Sequence, residues 1–500
     1  KLSAFHAAYG LCVVTLLFPL LYSDTTFLKY EYLTILGVVA LFAMTFVVSQ
    51  FASAGNTKII LLILFISTLI QSVWGFVQYY FIYEANILFL VAEHGRPVGV
   101  FNQINVFSTY INFGSLLALY FYYQAKNQSK ALLAFTLTVL VLNAHLNVLA
   151  QTKTGRVVSL IAIAIYLAYI AYKHRAFLLP LFFLTLSLVF SFTPKQWFDV
   201  RPGDMGAVPV GIESLGVRPI IYSLSVDLAM EKPLTGYGVG HVRNVFAEAV
   251  GQYRLEHSDY KSSAQIAHVH NEVLQWLLEL GIVSAFAFIA LFGIWIWGLK
   301  TRRLNPSVLL LALPFVGHSL LEFPFYTSAP HLLAFATILA LSIKLPTKIV
   351  KLNKATAAIL LPVNAFASFK IVTFMFVSLA SLQVMTTYQH SEVKDIKLLE
   401  SVEPTVSFEH YFEIEKFEWK LDNGFKTGQI NQDDIYSFIE WAEKEKAYFP
   451  VNKVYVRLAQ SYIIAQDIEA AKRTIDQAAF LFPDDPQVVD MVAKMKAFIQ

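Results

Sequence analysis

The residues of this chain best suited to chemistry stand at the mouth of an apolar stretch. They form the run His268-Val269-His270-Asn271-Glu272, followed by Gln275, Glu279 and Gly281. Polar groups at membrane depth are costly unless they face partners or a water-filled cavity, which makes this cluster a functional candidate. A plainer role, capping a first helical turn beside lipid headgroups, competes with it. Glu272, Gln275 and Glu279 are spaced to share one helix face, and His268 neighbours Glu272 if the helix begins early enough. A histidine that titrates near neutrality can take a proton from a weak nucleophile such as a hydroxyl. Other segments bring complementary groups. Gln103 and Asn105, with Asn102, lead into one apolar stretch; Lys153 and Arg156 lead into another; Arg201, Arg218 and Arg243 lie along the segment before the histidines. Arginine suits a phosphate or diphosphate because its planar fork makes bidentate, charge-assisted hydrogen bonds. Gly317-His318-Ser319-Leu320-Leu321-Glu322-Phe323-Pro324-Phe325-Tyr326 places a second carboxylate, Glu322, and a tyrosine, Tyr326, at a membrane edge. Together these groups describe attack on a lipid-diphosphate-linked group at a membrane surface, with the diphosphate leaving.

The elements that must hold them are apolar helices. Of 500 residues, 56% are hydrophobic and 15% charged, against about 25% charged in soluble proteins. The chain reads as an all-α polytopic membrane protein with about eleven spans, roughly 7–22, 32–50, 59–82, 104–123, 131–150, 157–172, 177–192, 273–298, 307–321, 331–345 and 358–382. Each approaches the ~20 residues that a bilayer demands. The first apolar segment, followed directly by another, reads as a span and not as a cleavable leader. Lys and Arg crowd one set of alternate short loops (Lys1, Lys58, Lys126, Lys130, Lys173, Arg175, Lys300, Arg302, Arg303, Lys344, Lys348, Lys351, Lys354) and are sparse in the other (Lys29, Arg96, Lys153, Arg156). The positive-inside rule then puts the N-terminus in the cytoplasm and both large polar segments outside. The organisation expected is an N-terminal bundle of about seven spans (1–192), a large outer loop (193–272), about four further spans (273–382) and a helical outer domain (383–500). One cysteine, Cys12, precludes an intrachain disulfide.

Within the outer loop, a helix is expected from Tyr222 to Glu231, followed by the turn Pro233-Leu234-Thr235-Gly236-Tyr237-Gly238-Val239-Gly240. That turn lacks the Lys-Ser/Thr and βαβ setting of a nucleotide loop, so it reads as a place where backbone comes close to something. In the outer domain, Tyr455-x2-Leu458-Ala459-x2-Tyr462, with Ala471, Ile475, Ala478 and Pro483, matches one tetratricopeptide-type repeat. One repeat cannot bury its own face, so helices near 407–420, 432–446 and 486–499 are expected to complete the stack. No metal-ligand set, Asp-x-Asp motif or nucleophile elbow is present, and no metal, cofactor or nucleic-acid partner is expected. A transporter would need mid-bilayer charges and repeated halves, and neither is found.

These residues carry a resemblance. His270-Asn271, nine residues, then Gly281 resembles the His-Asn-x9-Gly motif of the O-antigen ligase and polymerase superfamily, with Ser284 a mild departure from the usual Gly, Thr or Tyr. Arg218 followed by Pro233-x2-Gly236-x-Gly238-x-Gly240 is similar to the loop pattern before it, and Thr154-Gly155-Arg156 to an earlier Ser-Arg segment. Phe101-Asn102-Gln103-x-Asn105 and Leu321-Glu322-Phe323-Pro324-x-Tyr326 resemble the PglL-type O-oligosaccharyltransferases of Gram-negative bacteria. The likeness spans about residues 95–345. It implies a GT-C-like inner-membrane transferase, with site and C-terminal domain on the periplasmic face. Such an enzyme moves a glycan en bloc from undecaprenyl diphosphate to Ser or Thr of a periplasmic protein such as a type IV pilin. On this resemblance His270 is the base, with His268 its rival. Arg218 and Arg156 hold the diphosphate, Glu322 orients a partner, and Gln103 and Tyr326 position donor or acceptor. Asn271, Asn105 and Lys153 stand close by as further substrate-binding residues. The same chemistry on lipid A core or a growing polysaccharide is the alternative, a lipid-linked glycan transporter a more distant one.

Overall fold

The computed structural model describes residues 3–81, 96–101, 103–125, 130–174, 182, 189, 213–257, 260, 266, 268–344 and 354–499. Its helices, in chain order, are α1 (Ala4–Leu17), α2 (Leu28–Ser49), α3 (Ala54–Tyr80), α4 (Ile104–Ala125), α5 (Lys130–Ala150), α6 (Lys153–His174), α7 (Glu213–Glu231), α8 (Val242–Glu256), α9 (Glu272–Lys300), α10 (Pro306–Leu309), α11 (Leu313–Ser319), α12 (Pro324–Thr327), α13 (Ala329–Ser342), α14 (Lys354–His390), α15 (Ile396–Glu400), α16 (Glu409–Thr427), α17 (Gln432–Tyr448), α18 (Asn452–Ile464), α19 (Ile468–Leu481) and α20 (Pro486–Ile499). Among the described residues the only strand-like feature is an isolated bridge between Leu304 and Ile343.

Seven helices among the described residues are long and apolar enough to cross a membrane: α1 with its 3-10 extension, α2 to α6, and α9. The expected span at 177–192 (apart from Phe182 and Val189), Asn102, Arg201 and all of 84–95 lie outside the described residues. The spans expected at 307–321 and 331–345 differ from expectation. The first is broken into α10, a 3-10 turn and α11, which starts afresh at Pro314, and the second is the 14-residue α13. Neither reaches the ~20 residues of a full crossing. The last expected span falls inside α14, whose 37 residues exceed that need.

α4 lies at the centre, so its polar side chains need internal partners. Ser108 donates to Asn147 of α5 at 2.6 Å, Asn147 donates to Asn112 at 2.6 Å, and Asn112 donates to the Gly155 carbonyl at 3.1 Å. Asn143 donates to the Ile111 carbonyl and accepts from Ser72. Interhelical hydrogen bonds of this kind contribute about 0.6 to 2 kcal/mol each within a bilayer. This ladder fixes the start of α6, where Thr154 and Arg156 stand.

A second junction explains the glycine-rich turn. Gly281 interrupts α9 with φ 74° and ψ −170°, a conformation open to glycine, and an added Cβ would lie 2.4 Å from the Leu234 carbonyl. The Ile282 amide, diverted from its helical partner, donates to Pro233 O at 2.8 Å. The freed carbonyls of Leu278 and Glu279 accept from Tyr237 and Gly238 at 2.8 and 2.9 Å. The turn is therefore spliced into the broken helix, and the backbone approach expected from its glycines is to α9. The same splice carries α7 and α8 onto α9. The C-terminal helices α16–α20 pack against this assembly through Tyr455 and Phe482, buried with Phe246 and Val250 of α8.

Candidate functional site

The site grows from the break between loop and helix at Asn271. Its side chain caps α9 by accepting from the Leu274 amide at 3.1 Å, and its Nδ2 donates to the Leu320 carbonyl at 3.0 Å. One residue thus ties the histidine loop to the segment that carries Glu322. His270 itself adopts φ 57°, a left-handed conformation costly for a residue with a Cβ. Its amide donates to His268 Nδ1 at 2.9 Å and its carbonyl accepts from Tyr222 at 3.2 Å. Behind it, Gln275 accepts from the Val269 amide at 3.1 Å and donates to Glu279 at 2.8 Å. Glu272, Gln275 and Glu279 share one buried face, as their spacing predicts.

Glu322 is the centre, with a side chain only 3% exposed. His270 Nδ1 donates to its Oε2 at 2.7 Å, Arg218 makes an ion pair with Oε1, and Asn105 donates to the same oxygen at 3.2 Å. Burial works to raise the Glu322 carboxyl, but the His270 hydrogen bond and the charges of His270, Arg218 and His318 outweigh it and hold the group below the ordinary glutamate range. It is a carboxylate. Because a carboxylate can only accept, Nδ1 of His270 carries a proton, so that in the neutral tautomer of the ring Nε2 holds the lone pair. His270 and Arg218 retain 29% and 21% side-chain exposure, so this buried anion presents two groups outward.

Burial, reinforced by the neighbouring His270, pushes His268 down to about 3. Its Nε2 has no hydrogen-bond partner and stands 3.9 Å from Glu272. It supports the loop from within. Arg156 donates weakly to the Val148 carbonyl at 3.4 Å, and its buried Nε has no hydrogen-bond partner. Arg218 also reaches Thr154 at 3.4 Å, which brings the starts of α6 and α7 together. Tyr326 does not join Glu322: its ring packs on His268 at 5.0 Å and lines an apolar cavity. Gln103 and Lys153 stand at the starts of α4 and α6, half-buried, without a hydrogen bond to this centre.

A model of the O-antigen ligase family matches residues 136–289. A second, of the C-terminal part of virulence factor membrane-bound polymerases, matches residues 307–496. Each model covers less than half of the chain, which is similar to these O-antigen ligase and polymerase families over two successive regions and has the long apolar helices of a membrane protein. A protein of Rickettsia conorii named as a candidate polysaccharide ligase is 28% identical over 123 residues, which cover 23% of this chain and 29% of that relative. The chain thus matches less than a third of that relative's length.

His270, Asn271 and Gly281 fall in the region matched by the ligase model, and Glu322 in the region matched by the polymerase model. The geometry also identifies residues that spacing did not. Thr109 of α4 hydrogen-bonds His318 Nδ1 at 2.8 Å, and His318 is fully buried behind Glu322. Tyr222 holds the His270 carbonyl. For the α4–α5 ladder a signal did exist: Asn143 and Asn147 are amides one turn apart inside an apolar span, a pattern that calls for partners on a neighbouring helix.

Proposed function

We propose that the protein transfers a glycan en bloc from a lipid diphosphate, undecaprenyl diphosphate, to a hydroxyl group at the outer face of a bacterial inner membrane. The observation that carries this reading is the His270–Glu322–Arg218 constellation, in which one buried carboxylate orients a base and neutralises part of a guanidinium. The acceptor oxygen attacks the anomeric carbon and its proton passes to His270 Nε2. The bond from that carbon to the diphosphate oxygen breaks, and the electron pair leaves with the lipid diphosphate. Glu322 stabilises the imidazolium as it forms, the role a carboxylate plays beside a catalytic histidine in acyl transfer. Arg218 and Arg156, with Asn105 between α4 and the site, meet the growing charge on the leaving group. His268, held neutral, unexposed and committed to the His270 amide, is the weaker candidate for the base.

For the acceptor we favour Ser or Thr of a periplasmic protein such as a pilin, because the C-terminal helices, through Tyr455 and Phe482, share a buried cluster with Val269 between the two histidines. The name of the Rickettsia relative favours a second reading, a saccharide acceptor. Co-expression with a lipid-linked glycan and either a pilin or a lipid A core acceptor decides between them by intact mass of each acceptor. Glycan mass on the pilin that disappears with His270→Ala supports the protein reading. Transfer to lipid A core alone establishes the second. Full glycosylation by His270→Ala would end the assignment of the base.

A further inference from the structure

A cavity of about 540 Å³ lies between α2, α9 and the C-terminal domain, on the far side of the 316–326 segment from Arg218. Val316 and Ser319 face it, whereas His318, on another face of the same short helix, reaches Thr109 and the Glu322 centre. Its size suits a small molecule or a lipid chain. Along α2 its wall runs from Tyr30 to Leu41, which at 1.5 Å per residue is on the order of 16 Å. Along α9 the wall residues Phe288, Leu291, Phe292 and Trp295 follow a helical stripe. Both helices are long and apolar enough to cross a membrane. The cavity is therefore a slot parallel to two spans, shaped for a hydrocarbon chain. Gly37 opens onto it, and a Cβ there would meet nothing within 4 Å.

The other end is polar. Two carboxylates line this end: Glu31 Oε1 accepts from Tyr448 at 3.1 Å and Glu272 Oε2 from Trp276 at 3.3 Å, while Glu272 Oε1 is buried without a hydrogen-bond partner. Arg243 lines it too. Its guanidinium lies over the rings of Tyr448 and Phe449, and its buried Nε has no hydrogen-bond partner. A guanidinium with unspent donors at the head of an apolar slot calls for a phosphate with a chain attached.

We propose that this cavity binds a phosphate-headed lipid, its phosphate at Arg243 and its chain along Gly37 and Trp295, as a site separate from Arg218 and Glu322. The C-terminal domain, through Tyr448, forms its roof. Phosphatidylglycerol of the bilayer and a polyprenyl phosphate share this chemistry. The assignment goes beyond the transfer reaction and holds whether or not glycan transfer is found.

The full chain in phosphatidylcholine nanodiscs tests it with three photoreactive diazirine probes: phosphatidylglycerol, a polyprenyl phosphate and the phosphate-free polyprenol. Labelled peptides are mapped by mass spectrometry. A phosphate-headed probe is expected to label α2 between Tyr30 and Leu41, or α9 near Trp295. Labelling by phosphatidylglycerol marks a bilayer lipid, and labelling by polyprenyl phosphate marks a carrier; either supports the site. Gly37→Phe, which fills the slot, and Arg243→Gln, which removes the donors, are each expected to lower labelling by about tenfold. The proposal is overturned if polyprenol labels as strongly as its phosphate, if neither phosphate probe labels these peptides, or if labelling is unchanged in both variants.

Discussion

Two polar clusters stand side by side at the start of α9, and one run of sequence, His268 to Glu279, contributes residues to both. The Glu322 centre is open: His270 and Arg218 point outward from a buried anion, and the bond to Glu322 occupies only Nδ1 of the His270 ring. The Gln275–Glu279 cluster is closed. Gln275 bridges Val269 and Glu279, Glu279 accepts from the Gly240 amide at 3.4 Å, and all of it is buried. One cluster keeps capacity for a ligand, while the other spends its capacity on holding the His270 bend and the glycine turn together. Residue type does not distinguish catalytic groups from architecture here. Unspent valence at an accessible edge does.

This contrast predicts which substitutions affect rate and which affect stability. His270→Ala is expected to lower transfer by ~10²–10⁴-fold, the range for a general base, with unchanged insertion and thermal stability. Single-turnover assays with a lipid-diphosphate glycan check this. Arg218→Lys keeps the charge but loses the fork, and a loss of about 10²-fold is expected at constant folded yield; unimpaired turnover would remove Arg218 from the site. Gly281→Ala should do the reverse. It places a Cβ against the Leu234 carbonyl and forces a left-handed alanine, so a lower unfolding temperature and poor yield are expected, with near-normal rate per folded molecule. If Gly281→Ala folds normally yet turns over slowly, the closed cluster is part of the chemistry and the distinction fails.

The smallest expected effect concerns pH. His268 is held at about 3 in the folded protein against 6.5 for a free side chain, so the unfolded state binds the extra proton. Stability is therefore full above pH 6.5 and declines as pH falls from there toward 3. Glu322 has a depressed pKa and contributes in the same direction at lower pH: its stabilisation is present above the ordinary glutamate value and is lost as pH falls through the folded one. His268→Asn should flatten the slope of unfolding temperature between pH 7 and 5, a window in which Glu322→Gln should leave it in place.

Seven of the apolar spans are legible because a bilayer imposes length and composition directly on the chain. Asn271 and Gly281 were legible as a motif, and their reasons, a helix cap and a spliced kink, became visible only with the turn at 233–240 docked. The Arg218–Glu322 pair joins residues 104 apart, and no periodicity links α7 to a short turn after α11. The position of the Tyr326 ring is illegible for the same reason. Its place in the Glu-Phe-Pro-Phe-Tyr segment suggested the site, but α12 turns the ring away toward His268 and the cavity. Gln103, likewise drawn in by its neighbours, stands apart from Glu322, whereas Asn105, two residues on, reaches it.

The central claim, that His270 and Glu322 act as one unit, is tested most directly by a double-mutant cycle on the rate of glycan transfer. With His270→Ala, Glu322→Gln and the pair measured under single-turnover conditions, the double variant should be no slower than His270→Ala alone, because an orienting carboxylate has nothing to orient once the imidazole is gone. Losses that multiply would contradict this and show the two residues acting independently.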